Sequence, residues 1–494
     1  MVNRNIQMKK KNNDEWENLF PLSLNENIYN TEGKNLNDQF DQLTNDISNE
    51  FLEHEKAINE FKDTTTAQLT NQLNNFRKNV PVNHVNSDSY NTLQEAVYAA
   101  ENGVLHIKKG TYLIDKPIKI KSNTIIFAYG STFRRNANIN NMFINDSDGT
   151  KGGYNANENI EIIGAVFDGA GGSFSDKCTM LAFGHAKNIK ILDCTFKNLR
   201  DWHMVELNAC QNVFIQNCLF EDYGTSTMGT EMVQIDVAKS KTEFPWFGPY
   251  DNKTCDNIKI TRCKFINGVR GIGTHTAGTN AEHTRITITE NEFRNMSGQA
   301  IKGMDWSFTK INDNHFYNVF TGITLNAWSR TNNNHEINNN YISGMFETSK
   351  SRGIHIIGYV DDVKVVAGTI KNNKIRRVNT HGIGIDNCEK WVVDGNDIDG
   401  NGSNGIAIYG GRYITITGNI SKNNRLNHEY TYDLRVYEGA YEVTITGNIL
   451  NTVEVGTSPR YIFFTGNTVL SSLEFSSSGT RVSKNNFVNG AYQE

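Results

Sequence analysis

The sequence is short of several things, and each shortage removes a class of protein. Across 494 residues there is no apolar run long enough to span a membrane as a helix. The opening stretch, MVNRNIQMKKKNNDEWENLF, lacks the apolar centre of a secretory signal, so export by a signal peptide is not expected. The formal net charge is only −5, which implies no polyanionic partner such as nucleic acid. Cysteine is scarce and odd in number, seven in all. Three of the cysteines fall in one repeated column, which suits reduced thiols made in a cytoplasm better than a disulfide framework. That column lacks the paired histidine spacing of a zinc site, and no regular Asp-x-Asp loop marks calcium. No metal and no cofactor are therefore expected. A leucine framework is also missing, which argues against a leucine-rich repeat.

What is present is a repeat. Copies read NIKILDCTF (188–196), NVFIQNCLF (212–220), NIKITRCKF (257–265), RITITENEF (285–293) and YITITGNIS (413–421). Each is followed by a second apolar segment, such as MVELN (204–208), MVQID (232–236), GIGTH (271–275), GITLN (322–326), GIHII (353–357), GIGID (382–386) or GIAIY (405–409). One turn position is Cys194, Cys218 and Cys263, then Asn291, Asn314, Asn340, Asn373, Asn396 and Asn419. A period in the low twenties, built of short alternating strands, is one coil of a parallel β-helix. A single coil cannot bury its own apolar edge; coils stacked about 4.8 Å apart bury a continuous core. The Asn column is expected to form a ladder of side-chain amides, with cysteine as its small apolar substitute.

Ahead of the coils, residues 1–30 are polar apart from Trp16, Leu19, Phe20, Pro21 and Leu22. Residues 31–80 carry Leu36, Phe40, Leu43, Ile47, Phe51, Ile58 and Phe61 at helical spacing with no proline; a self-associating coiled-coil arm is expected, an amphipathic helix folding back on its own domain being the alternative. Pro81 ends the arm. Residues 81–158 read as the N-terminal cap and first strands, with a short helix over Leu93, Ala96 and Val97 capped by Asn91. Residues 134–158 read as a loop, and the coils proper run over 159–494 with a long aromatic insertion at 237–256. The fold class expected is thus all-β, a parallel β-helix preceded by an α-helical coiled-coil arm.

The WENLFPLSLNENIY segment (16–29), the helical arm, and the capped coils with WHMVELN (202–208), EMVQIDVA (231–238), FPWFGPYDN (244–252) and RGIGTHT (270–276) together resemble a bacteriophage tailspike or tail-fibre protein. The resemblance implies a right-handed, pectin-lyase-like solenoid in the virion tail. It implies a homotrimer, attached to other tail or baseplate proteins through the N-terminal segment. It also implies a host cell-wall or capsular glycopolymer as ligand, teichoic acid or exopolysaccharide included, bound and often depolymerised. The coils are expected to close with RVSKNNFVNGAYQE without a compact lectin-like domain, a departure from many tailspikes that puts trimer stability in doubt or shifts that work to the arm.

Strand alternation locates the candidate chemistry. Aligning Val205, Val233, Ile272, Ile301, Ile323, Ile354, Ile383 and Ile406 as inward residues turns those one and three later outward on one face. That face carries Glu206 and Asn208, Gln234 and Asp236, His275, and Lys302; the turn before each strand adds His203, Glu231 and Arg270. Trp202, Phe244, Trp246, Phe247, Tyr250 and Trp306 are expected to border it as a sugar-stacking wall. Glu206 and Asp236 lie one coil and two positions apart. That gives about 8 Å, inside the roughly 6.5–9.5 Å of an inverting glycosidase pair. His275 would tune Asp236, Glu231 and Asp305 are reserve acids, and Arg270 and Lys302 would hold an anionic group. Asp305 falls on an inward position and is available only if its strand stops at Met304. A lyase using Lys302 or Arg270 as base, and a binding protein with no turnover, are the alternatives.

Overall fold

A computed structural model describes residues 83–493 apart from 175–176, 225–230, 243, 345–350, 360–362, 425–430 and 477–480. The attachment segment (1–30) and the coiled-coil arm (31–80) lie outside the described residues.

Each coil contributes three short strands, one more than the two apolar segments suggest. The NIKI segment forms sheet A, the Phe segment after the Cys/Asn turn forms sheet B, and the VELN-type segment forms sheet C. In one coil these are Ala186–Leu192, Thr195–Leu199 and Val205–Asn208. Sheet A is a 17-stranded ladder; sheets B and C run together in a 26-stranded sheet, because strands such as Glu292–Met304 bend through both walls. Among the described residues the ladders are parallel, apart from Ala491–Gln493, which turns back antiparallel on Asn486–Val488.

Alternation inside each strand sends one set of side chains inward. Ile189, Val213, Ile258 and Ile286 follow one another in register on sheet A and are all buried. On sheet B, Phe196, Phe220, Phe265, Phe293 and Phe316 stack nearly parallel with ring centroids 4.7–4.9 Å apart. Fully burying one such side chain contributes about 1.5–3 kcal/mol. Repeating that burial along the axis is what ties one coil to the next.

The A-to-B corner is held by amides. From Asn291 through Asn314, Asn340, Asn373, Asn396, Asn419, Asn448 and Asn467 to Asn486, each Nδ2 donates to the Oδ1 of the next at 2.8–3.3 Å. The column hands over to cysteine where the Cys263 N–H donates to Asn291 Oδ1 at 2.9 Å. All seven cysteines are buried thiols.

The N-terminal end differs from the sequence reading in two respects. The cap helix, Leu93–Ala99, is capped by Thr92 rather than Asn91, its side chain accepting from the Glu95 N–H at 3.2 Å. The solenoid also begins before Asn159. Gly103–His106 pairs with Thr124–Phe127, which pairs with Asn157–Ile163. Within the stretch read as a loop, Asn141–Asn145 is a strand of sheet C, its Met142 and Phe143 buried. The flanking Asn, Asp and Gly residues hid an apolar core of only three residues. No helix among the described residues is long and apolar enough to cross a membrane.

Candidate functional site

The register on sheet C aligns the inward column read from sequence: Val205 with Val233, Val233 with Ile272, Ile272 with Ile301, and on to Ile406. Three outward columns follow. The first is His203, Glu231, Arg270 and Gln299, at the corner where sheet B bends into sheet C. The second is Glu206, Gln234, Gly273 and Lys302. The third is Asn208, Asp236, His275 and Met304. The corner residues point outward because the chain bends after them, sending Met204 and Val205, or Met232 and Val233, together into the core.

Gly273 organises the cluster. A Cβ there would meet the Lys302 carbonyl oxygen at 2.8 Å and Glu231 Cγ at 3.1 Å. Its missing side chain lets groups from the two flanking columns meet. His275 Nδ1 lies 2.8 Å from Glu231 Oε2, and the Arg270 guanidinium donates to Glu231 Oε1 at 3.1 Å. Gln234 donates to Asp236 and lies 3.4 Å from the His275 ring nitrogens. Glu206 accepts from Thr179 Oγ1 at 2.6 Å and from Asn208 Nδ2 at 2.9 Å. His203 packs 5.6 Å from the His275 ring, and Trp202 closes the corner 5.0 Å from His203.

The three carboxyls are all buried, yet their surroundings drive them apart. Burial pushes Asp236 up to about 7, against the opposing charge of His275. Burial likewise raises Glu206, against hydrogen bonds from Thr179 and Asn208. Burial would raise Glu231 too, but the His275 hydrogen bond and charge, with His203 and Arg270, outweigh it and hold Glu231 below its ordinary range. His275 is drawn down by burial and up by Glu231, and ends raised. Burial and then Arg270 lower Lys302, which makes no ion pair among the described residues. Buried His203 is pushed down to about 3 and is neutral. His203 Nε2, Asn208 Oδ1 and Gln234 Oε1 are buried without a hydrogen-bond partner in the protein, where such groups are ordinarily paired.

Several expectations need correction. Glu206 and Asp236 share one wall but are fully buried, not displayed on an open strip. Among the titratable members, those that meet solvent are His275, 24 % exposed at its side chain, and Lys302. His275 is partnered chiefly by Glu231 rather than Asp236. Arg270 is committed to Glu231 and Gln299 and is not free to hold a ligand anion. Asp305 follows a strand that does stop at Met304, but its carboxylate is spent on the turn beyond, accepting from the Trp328 N–H at 2.6 Å and from Ser329 Oγ at 2.8 Å. Trp306 is no wall: it is core, 1 % exposed, its indole N–H donating to Thr274 Oγ1 at 2.8 Å.

The 237–256 insertion folds back as a clamp. Phe247 fills the space over Gly184, where a Cβ would lie 2.1 Å from its ring. Asp251 accepts from the Gly153 N–H at 2.7 Å, and Pro249 O bonds His185 Nε2 at 2.8 Å. Phe244 is buried, and half-buried Tyr250 donates to its carbonyl at 2.7 Å. Trp246 is half-buried beside the Ala182–Phe247 cluster.

His203, Glu231 and His275 bring potential ligand atoms within 4.8 Å of one another. Two imidazoles and a carboxylate are a transition-metal donor set. Arg270, bonded to the same carboxylate, places a fixed positive charge beside it and disfavours a cation there.

Residues 181–358 and 328–492 match the model of the right-handed beta helix region. The chain belongs to the right-handed β-helix family. This β-helix is similar to plasmin and fibronectin-binding protein A of Streptococcus pneumoniae, 23 % identical over 382 residues, 65 % of this chain and 53 % of that protein. It therefore spans about half the length of that curated relative. It also resembles the crystal structure of PfbA, a surface adhesin of S. pneumoniae, with a TM-score of 0.56 and 21 % identity over 73 % of this chain and 93 % of that one. A Yersinia enterocolitica family 28 exopolygalacturonase matches at a TM-score of 0.53 and 12 % identity, over 74 % of this chain and 78 % of that one. At these identities the structural likeness is one of fold. None of the three is a phage tail protein.

Sequence reasoning missed two aromatics on this β-helix. Trp328 and Tyr359 are 53 % and 41 % exposed and pack edge to face, centroids 4.8 Å apart. Each stands two residues beyond the last outward position of its sheet C strand, a signal that was available once the register was drawn.

Proposed function

We propose that this β-helix binds an extended cell-surface glycopolymer along the outer wall of sheet C and hydrolyses it at the Gly273 gap. The observation that carries the reading is the opposed pair on one strand: Asp236 held protonated to near neutrality, Glu231 held ionised. Environments that separate two carboxyls in this way create a proton donor and a charged partner. Asp236 is the acid that protonates the leaving oxygen. Glu231, which keeps lone pairs beyond those used by Arg270 and His275, directs water and stabilises positive charge at the sugar. His275 is the gate: it covers the pair, and the reading requires it to turn when substrate enters. Glu206, roofed by Thr179 and Asn208, holds Asn208 in place and is relieved of the catalytic part that alternation alone assigns it. The deciding assay is release of reducing ends from host wall glycopolymer by wild type, Asp236→Asn and Glu231→Gln. Equal release by all three ends the reading.

Burial of both Glu206 and Asp236, and an adhesin relative, favour a second reading in which the wall binds without turnover. It expects Asp236→Asn to bind glycopolymer as wild type does and expects wild type to release nothing. A lyase with Lys302 as base would instead yield an unsaturated, ultraviolet-absorbing product. The virion-tail setting and the trimer are proposals resting on residues 16–29 and the 31–80 heptads. Mass spectrometry of purified particles, and solution mass of the whole chain, test them.

A further inference from the structure

Beyond the cluster, the same wall carries a second constellation. Trp328 and Tyr359 expose their rings on adjacent rungs, following the Ile323 and Ile354 strands, which pair directly. The display is built rather than incidental. Asp305, itself 1 % exposed and at φ +52°, accepts from the Trp328 N–H, from the Ser329 N–H at 3.0 Å and from Ser329 Oγ, so a buried carboxylate is devoted to the turn that presents Trp328. On the rung after Tyr359, Asp386 is held at the surface by a relay. Arg352 Nη1 donates to His355 Nδ1 at 2.6 Å, which leaves the His355 Nε2–H to donate to Asp386 Oδ2 at 2.6 Å. Asp386 remains 32 % exposed at its side chain, with oxygen lone pairs to spare. Gly384, beside it, leaves a notch against the His355 ring.

We propose that Trp328, Tyr359 and Asp386 form a second sugar subsite, which stacks one pyranose face and accepts its hydroxyls. This rests on the glycopolymer reading of the wall. The Trp328 and Tyr359 rungs lie two and three steps beyond Gly273, about 10 and 14 Å along the axis. A rung advances by about the length of one sugar in an extended glycan, so the subsite grips the polymer two to three units from the bond held at the gap. A glycan suits this surface better than a protein does. Two exposed rings beside the partly exposed Asp386 carboxylate give a small apolar face with a polar neighbour, whereas a protein hot spot needs a larger, desolvated centre.

The test is affinity electrophoresis of the full chain in gels cast with polygalacturonate, alginate, hyaluronan or Gram-positive wall teichoic acid, with reducing ends assayed in parallel. Wild type is expected to be retarded by at least one of these. The Trp328→Ala/Tyr359→Ala variant is expected to weaken that binding by at least about tenfold, and Trp328→Phe/Tyr359→Phe to keep most of it. Equal retardation of wild type and the double alanine variant overturns the subsite, as does absence of retardation in all four gels. Loss of fibronectin or plasmin binding in the alanine variant, with glycan retardation intact, overturns it in favour of a protein partner. Retardation that depends on the aromatic pair with no reducing ends from wild type leaves the subsite standing and removes hydrolysis instead.

Discussion

Asp236 offers the sharpest quantitative test, because its buried carboxyl links stability, pH and catalysis. Burial lifts its folded-state pKa from an ordinary value of 3.8 to about 7. Each unit corresponds to 1.36 kcal/mol, so ionising Asp236 inside the fold costs about 4 kcal/mol relative to ionising it in the unfolded chain. The sign follows from which state holds the proton. Well below the unfolded value of 3.8 both states are protonated and nothing is lost. Between pH 4 and 7 only the unfolded state ionises, so stability falls as pH rises, and above 7 the loss levels off. Asparagine keeps the shape and the hydrogen-bonding edge but cannot ionise. Asp236→Asn should therefore equal wild type in stability near pH 4 and exceed it by about 4 kcal/mol above pH 7. Urea unfolding of both proteins at pH 4, 5.5, 7 and 8.5 measures the difference directly. Turnover in wild type should fall over the same upper interval, because the acid must carry its proton, and should persist downward until Glu231, held below its ordinary range, is protonated. Two parallel stability curves would show that Asp236 ionises as a solvated group. The separation of acid from charged partner would then be gone, and the proposed chemistry with it.

Other substitutions probe the scaffold around this group. Gly273→Val should crowd Glu231 and the Lys302 carbonyl, abolishing reducing-end release and costing about 1–3 kcal/mol by overpacking, read from the urea midpoint. Asn373→Ala should strand the Asn340 N–H and Nδ2, which both donate to its Oδ1, at about 1–3 kcal/mol. An unchanged midpoint would show that the ladder is decorative. Asp305→Ala should leave the Trp328 and Ser329 amides unpartnered and speed their hydrogen exchange while sparing reducing-end release on short substrates; a collapse of release would restore Asp305 as an acid. Phe265→Ala, in the middle of the sheet B stack, should cost about 3–5 kcal/mol and unfold neighbouring coils first, as read by hydrogen exchange.

Much of the architecture could be read from residue order because a solenoid repeats one local problem. Ile189, Val213 and Ile258 recur at matching places, and every copy needs the same inward pattern and the same corner. Columns in the sequence are therefore ladders in the structure: the Asn and Cys corner, the Val205-to-Ile406 register, and the outward placement of Glu206, Asp236 and His275. The third strand per coil escaped notice because the Phe segment carries only one dominant inward residue. The strand at Asn141–Asn145 escaped because turn-forming residues surround it.

The site was legible in membership and illegible in depth. Alternation says which way a side chain leaves the strand, and that is decided locally by the two-residue period. It does not say what later folds over that side chain. Burial of Glu206 depends on Thr179 from another coil, and the reach of His275 to Glu231 depends on a missing side chain at Gly273. Trp306 and Trp328, equally aromatic in sequence, end in the core and in water because one pairs within sheet A while the other sits on a turn held by Asp305. Residue order determined the coil, its corners and the face on which the acids gather, since each arises from neighbours along the chain. Only the stacked coils decided which acid keeps its proton, because desolvation and charge proximity are set by atoms dozens of residues away.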